Sequence, residues 1–333
     1  MTQALREALR VVHPHTLPGI RAAAASVRRG GAALVENVWT AAEASAATHA
    51  VVGRPRGLLA GYIGGANPRS MRTDNTFDVG APRSATLLQH QELQYLNTSV
   101  RGLGLWCPRA EPGAVPTLLS STRNASLRVE PTDMGRRLAR EGVMYTRWLP
   151  TATSPAPIYS TWQATFGTDC RHTAAGIASA LGLRCAWQSC GGVLTVARCS
   201  AFERDPADGA QLLFTSMADS ASWFDSWPGL AHLHAAHSQE ELATGTFRPL
   251  QMFYGAGTPL SPDDASCLTD AHQRETLPVD WRSGLLLLID NHRTGHGRGS
   301  CSSDLARELR VVLGATFKRS PPPILPSEVH EKN

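Results

Sequence analysis

Residues 280–299 read DWRSGLLLLIDNHRTGHGRG. The apolar run Leu285–Ile289 is the strongest strand signal in the chain, bounded by Gly284 before it and by the turn-forming pair Asp290-Asn291 after it. Five residues are far too few to cross a bilayer, so the run reads as a buried strand. The strand leads into a glycine-flanked histidine, His296, and a second histidine, His292, lies between them.

Outward from this segment, strand signals recur as short apolar pieces separated by turn residues. They include TLLQHQELQYL (86–96), GLGLWCP (102–108), PTLLSS (116–121), LRCAWQ (183–188), GVLTVARC (192–199), QLLFTS (211–216) and ELRVVLGATF (308–317). The N-terminal stretch reads differently. MTQALREALRVV has the spacing of an amphipathic helix, a short strand is expected over Ala32–Val38, and another helix from about Thr40 to Val52. Further helices are expected over Asp133–Glu141 and Thr173–Leu181, with no helix between Leu58 and Arg128. Many strands with peripheral helices, and no regular strand–helix alternation, predict a mainly β fold with flanking helices.

Composition closes off other classes. With 333 residues, 42% apolar and 18% charged, the chain is neither disordered nor collagen-like. Its 32 basic residues, all but Lys318 and Lys332 arginines, are dispersed among 28 acids, so no nucleic-acid or membrane patch is expected. Seven cysteines without CxxC spacing make neither a disulfide framework nor a zinc module, and the N-terminus lacks the apolar core of a secretory signal; a cytoplasmic location is expected. The last residues, 321–333, read as a flexible Pro-rich tail.

The chemistry-bearing motif is LLQHQELQY (87–95), with His90 and Glu92 two residues apart. On a strand, such a pair shares one face about 6.6 Å apart along the chain, close enough for both to reach one ion. By composition alone about one His-x-acid pair is expected in a chain of this size, so the pair needs context. The downstream histidines provide it: two imidazoles and one carboxylate form the donor set of non-haem Fe(II) oxygenases. Strand parity does not choose between His292 and His296, which would share a face. Three rival sites carry less. His232, His234 and His237 have metal-compatible spacing without an acidic or cysteine partner, GHGRG lacks the G-x-G-x-x-G register, and no G-x-S-x-G elbow is present.

The order of these motifs resembles the taurine dioxygenase-like (TauD/TfdA) Fe(II)/2-oxoglutarate oxygenases, in particular the branch of clavaminate synthase and the syringomycin aspartyl hydroxylase. The resemblance is carried by Gly30–Val35, Tyr62 with Asn67-Pro68-Arg69, His90-x-Glu92, Gly142–Arg147 and the set Trp281, Gly284, Asp290, Asn291, His296, Gly297 and Arg298. It implies a double-stranded β-helix (a cupin-like jelly roll) over residues 1–320, with a helical part to about 57 and an insert over about 130–250. It implies Fe(II) held by His90, Glu92 and His296, with 2-oxoglutarate and O2 as co-substrates. Glu92 stands where the family's halogenases carry a small residue, which argues against halogenation.

Thr117 follows Pro112-Gly113-Ala114-Val115-Pro116, the position from which the family holds 2-oxoglutarate, although the turn lacks a second glycine and an acid. Arg307 and Arg310 are the candidates for its remote carboxylate. Arg307 fits better, because Arg307, Leu309, Val311 and Leu313 would line one strand face. Arg69, Asn97 and Arg147 are candidate substrate-binding residues; Tyr95 and Trp162 fall in the same segments, with parity turning Tyr95 away from Glu92. By analogy the expected reaction is hydroxylation of an unactivated C–H bond in an amino-acid-like intermediate, free or carrier-tethered, with 2-oxoglutarate decarboxylated to succinate. Epoxidation, desaturation or ring formation would use the same cofactors. A non-catalytic β-helix binding protein is the rival of another class, against which all three ligand residues weigh.

Overall fold

Leu285–Ile289 lies at the centre of the protein and is buried on both faces. In the computed structural model, which describes residues 11–12, 17–65, 69–79, 86–153, 160–216, 250–299 and 307–325, it forms a strand whose odd-numbered residues enter the main core while Leu286 and Leu288 point the other way. Two sheets hold the site. Their strands are β1 (Val11–Val12), β2 (Ala32–Val35), β3 (Thr76–Asp78), β4 (Leu87–His90), β5 (Gly102–Ala110), β6 (Thr117–Ser121), β7 (Thr276–Val279), β8 (Leu285–Asp290), β9 (Thr294–Arg298) and β10 (Arg307–Leu313). The larger sheet runs β1-β2-β8-β5-β10-β3 and the smaller β7-β6-β9-β4. Apart from the parallel β1–β2 pair, all pairings in these two sheets are antiparallel. The fold is the double-stranded β-helix of a jelly roll.

A second core explains why the leucine run is continuous rather than alternating. Helices α1 (Leu17–Gly30) and α2 (Ala41–Val52) cover the outer face of the larger sheet, packing Ala23, Val27, Ala44 and Ala47 against Leu286, Leu288, Trp106 and Val312. With apolar partners on both sides, every β8 side chain leaves water, and fully burying a leucine contributes about 1.5–3 kcal/mol. The α2 start is fixed locally. Thr40 accepts from the Glu43 amide and the Glu43 carboxylate reaches back to the Thr40 amide, a capping box that ends the preceding extended segment.

The segment between the two metal motifs adds a four-stranded sheet around Val143–Leu149 and Val193–Cys199, paired in register along their whole length. Helices over Asp133–Glu141 and Arg171–Ala180 match the sequence expectation closely. Three expectations differ. Val11–Val12 pairs with β2 as a strand instead of ending a helix, while residues 1–10 lie outside the described residues. A helix over Thr122–Val129 follows β6 directly, capped by the Ser121 side chain on the Asn124 amide; its polar sequence hides a face of Ala125, Ser126 and Val129 that is buried. A helix over Pro262–Gln273, with its own Ser261–Asp264 capping box, also went unread. Residues 320–325 run along the body, where Arg198 donates to the Pro323 carbonyl. Residues 326–333 lie outside the described residues.

Candidate metal centre

The antiparallel pairing of β4 with β9 sets His90 directly opposite His296, and their rings lie 4.4 Å apart between centroids. Glu92 joins them by another route than strand parity. β4 ends at His90, and Glu92 opens a turn, so the i, i+2 argument gives the right neighbour for a different reason. The turn is held by Asn291, just past the end of β8. Its Oδ1 accepts from the Glu92 amide (2.8 Å), and its Nδ2 donates to the carbonyls of Glu92 (3.0 Å) and Val100 (2.9 Å). The Ser99 hydroxyl donates to the same Glu92 carbonyl (2.9 Å). These bonds keep Leu93 at φ 57°, a left-handed conformation unfavourable for a branched apolar residue.

One ligating atom from each of His90, Glu92 and His296 lies within 4.8 Å of the others. Glu92 Oε2 is 3.7 Å from His296 Nε2, a gap that two bonds of roughly 2.1 Å to one ion can span. His90 Nδ1 lies 2.8 Å from the Leu88 carbonyl, which can only accept. That contact places the proton on Nδ1 and leaves Nε2 with its lone pair. Burial, together with the neighbouring His90, pushes His296 down to about 4, so its ring is neutral at physiological pH. Burial alone would raise Glu92, but Arg69 and the two imidazoles hold its carboxyl well below the usual carboxylate range. Neutral imidazole and ionised carboxylate are the forms a divalent metal needs. His296 Nδ1 has no partner among the described residues.

The opposite oxygen of Glu92 is occupied. Oε1 accepts from the Tyr62 hydroxyl (2.6 Å) and from Arg69 Nη2 (3.0 Å). Burial raises the Tyr62 phenol, keeping it a donor. Arg69 was expected at a substrate mouth; the structure places its guanidinium over the Tyr62 ring (4.4 Å), ion-paired with Glu92 and lining the same cavity.

That cavity, open to solvent, lies between the two sheets. His90, Glu92 and His296 form one side of it, and Thr117 and Arg307 are on its wall. Leu309 and Val311 line it beside Arg307, so the alternation read along β10 survives a register shift between Glu308 and Arg310 in its pairing with β5. Thr117 Oγ1 accepts from Trp281 Nε1 (3.0 Å), and the Arg307 guanidinium stands 5.9 Å from the same indole while donating to the Val115 carbonyl. Trp281 thus ties the two 2-oxoglutarate candidates together, a role its sequence position did not reveal. Arg310 is not brought to the cavity; Asp78 and Glu308 hold it in ion pairs.

The remaining candidates sit elsewhere. His292 is buried in the turn between β8 and β9, its ring 4.2 Å from Phe317 and 5.5 Å from Phe214, so the parity that linked it to His296 does not apply. Asn97 Nδ2 donates to the Gly182 carbonyl (3.0 Å) and its Oδ1 accepts from Cys199 Sγ (2.8 Å), off the cavity wall. Arg147 is buried, donating to the carbonyls of Gly64 (2.7 Å) and Gly65 (3.1 Å), with its guanidinium 5.1 Å from the Tyr95 ring. Tyr95 is core, in a turn where strand parity has no meaning, and Trp162 packs edge-on against Trp187 at 5.2 Å. GHGRG forms β9 instead of a phosphate loop. Asn67, Pro68 and the histidines at 232, 234 and 237 lie outside the described residues. No helix among the described residues is long and apolar enough to cross a membrane.

The family model for the taurine catabolism dioxygenase TauD, TfdA family matches residues 9–313. A clavaminate synthase-like protein from Arabidopsis thaliana is 27% identical over 244 residues, covering 71% of this chain and 68% of that protein. Among solved structures, the chain is similar to PvcB, an Fe, alpha-ketoglutarate dependent oxygenase from an isonitrile synthetic pathway, at 15% identity over 93% of this chain and 85% of that one, with a TM-score of 0.49. It is also similar to a taurine dioxygenase from Burkholderia xenovorans, at 10% identity over 96% and 86% of the two chains, again with a TM-score of 0.49.

Proposed function

The chain belongs to the taurine catabolism dioxygenase TauD, TfdA family, and from that premise we propose that it hydroxylates an unactivated C–H bond of an amino-acid-like biosynthetic intermediate, free or tethered to a carrier protein. The observation that carries the reading is the convergence of His90, Glu92 and His296 on one wall of a cavity that also presents Thr117 and Arg307. Two imidazole nitrogens and a carboxylate oxygen suit Fe(II), and His90 Nε2, Glu92 Oε2 and His296 Nε2 are the atoms that would hold it. When bound, iron and 2-oxoglutarate supply the oxidising power: the 2-oxo acid and dioxygen give succinate and carbon dioxide, and one oxygen atom enters the substrate.

The chain's own residues do the rest. The Arg307 fork matches the remote carboxylate of the 2-oxo acid, and the Thr117 hydroxyl, oriented by the Trp281 indole, adds a donor beside it. Val79, Leu87, Leu105 and Leu309 give the cavity an apolar wall suited to a hydrocarbon segment of the substrate. Orienting one C–H bond against the metal is the protein's contribution to selectivity.

Anaerobic addition of Fe(II) and 2-oxoglutarate is expected to produce a weak visible charge-transfer band, and 2-oxoglutarate-dependent mass changes across a panel of amino acids and carrier-tethered aminoacyl groups are expected to identify the substrate. A well-folded protein that gives no band would overturn the proposal.

A further inference from the structure

Resting on the metal reading above, we propose that Tyr62 and Arg69 are positioning residues that clamp Oε1 of Glu92 and so restrict the carboxylate to a single metal-binding oxygen. A carboxylate oxygen offers two lone-pair directions. On Oε1 one is taken by the Tyr62 hydroxyl at 2.6 Å and the other by Arg69 Nη2 at 3.0 Å. Oε2 is then the oxygen that faces His296 Nε2, at 3.7 Å. With Glu92 held to one oxygen, the protein contributes three donor atoms and half of an octahedral shell stays open.

The clamp is built, not incidental. Tyr62 sits in the left-handed region (φ 57°) at the end of the turn Gly57–Gly61, and its ring packs 5.7 Å from Phe77. Gly65 makes room for it: a Cβ there would fall within 2.9 Å of the Tyr62 Cζ. Arg147 fixes the loop by binding the carbonyls of Gly64 and Gly65, and the Gly64 amide donates to the Thr165 carbonyl at 2.9 Å. A line of contacts therefore runs from the inserted sheet, through Arg147 and the loop, to the distal oxygen of Glu92. This gives the buried Arg147, which touches no cavity wall, a function.

The experiment is a Co(II) titration of the full chain and of Tyr62→Phe and Arg69→Gln, without 2-oxoglutarate. It is read by the cobalt ligand-field spectrum and by chelator competition, with thermal unfolding of each metal-free protein as the check on folding. Tyr62→Phe is expected to change the spectrum and to weaken Co(II) binding roughly ten- to a hundredfold. Arg69→Gln is expected to change the spectrum in the same sense with a smaller loss of affinity, because it also removes a positive charge from beside the cation. If Tyr62→Phe does not fold, the Arg69→Gln spectrum decides. Variants that keep the parental spectrum and affinity overturn the clamp and leave the metal reading standing. A parent chain that binds no Co(II) overturns both.

Discussion

Asn291 grips the backbone of Glu92 with a reciprocal pair of hydrogen bonds, accepting from its amide at 2.8 Å and donating to its carbonyl at 3.0 Å. The end of β8 therefore places the turn that carries the metal-facing carboxylate. Asn291→Ala leaves the buried Glu92 amide without this acceptor, and the expected destabilisation is about 2–4 kcal/mol. Denaturant unfolding measures it. Metal affinity by chelator competition is expected to fall with it, and an unchanged affinity in the folded variant would show that the turn holds its shape alone.

His296 and His292 separate cleanly. His296→Ala is expected to abolish both succinate formation and the anaerobic charge-transfer band while leaving the fold in place. His292→Ala is expected to keep both and to destabilise the protein by roughly 2–4 kcal/mol, because it empties a site between Phe214 and Phe317. The reverse pattern in a coupled succinate assay would move the third ligand.

Arg307 and Arg310 are expected to differ in kind. Loss of a charge that meets a carboxylate in a confined cavity costs about 3 kcal/mol, so Arg307→Ala is expected to raise the KM for 2-oxoglutarate about a hundredfold. Arg310→Ala breaks partly exposed ion pairs with Asp78 and Glu308, worth about 1 kcal/mol or less, and its KM is expected to stay parental. Steady-state kinetics with both variants would sink this assignment if the two KM values rose together.

Acid sensitivity is expected from the buried imidazoles, of which His272 and His292 lie outside the metal centre. Burial, opposed only weakly by the Thr215 carbonyl, takes His272 to about 4, and burial with the nearby Arg101 takes His292 to about 4. Unfolded histidine titrates near 6.5, so between pH 6.5 and 4 the unfolded chain binds more protons than the folded one. Stability therefore falls as pH drops through that window, by about 3 kcal/mol for each ring at pH 4. Unfolding free energies of the parent and of His272→Gln between pH 7 and 4.5 test this; equal slopes would refute the role of His272.

The sequence made some of this legible because local periodicity encodes it. Leu285–Ile289 announced a buried strand, and Arg307, Leu309 and Val311 lie on one cavity wall as period-two alternation requires. His90, Glu92 and His296 were readable as a pattern of residue types, but their meeting rests on the β4–β9 register and on Asn291, not on one extended strand. Contacts between distant positions left no local trace. Trp281 on Thr117, Asn291 on Glu92 and Arg147 on Gly64 each join segments far apart in the chain, and a tryptophan, asparagine or arginine looks the same whether it grips a carbonyl or faces water. The Thr122–Val129 helix was hidden for another reason: Val129 is the one large apolar residue of its buried face, and Thr122, Ala125 and Ser126 raise little hydrophobic signal.

The central position of β8 sets an order of events during synthesis. β2 and β5 hydrogen-bond to β8 on its two sides, so neither finds that neighbour until residue 285 has left the ribosome. Until then two strands with unpaired edges wait in the nascent chain, exposed to self-association. Closure of such long loops is slow. Yield of active protein is thus expected to depend on how well those edges are shielded while residues 111–284 are being made.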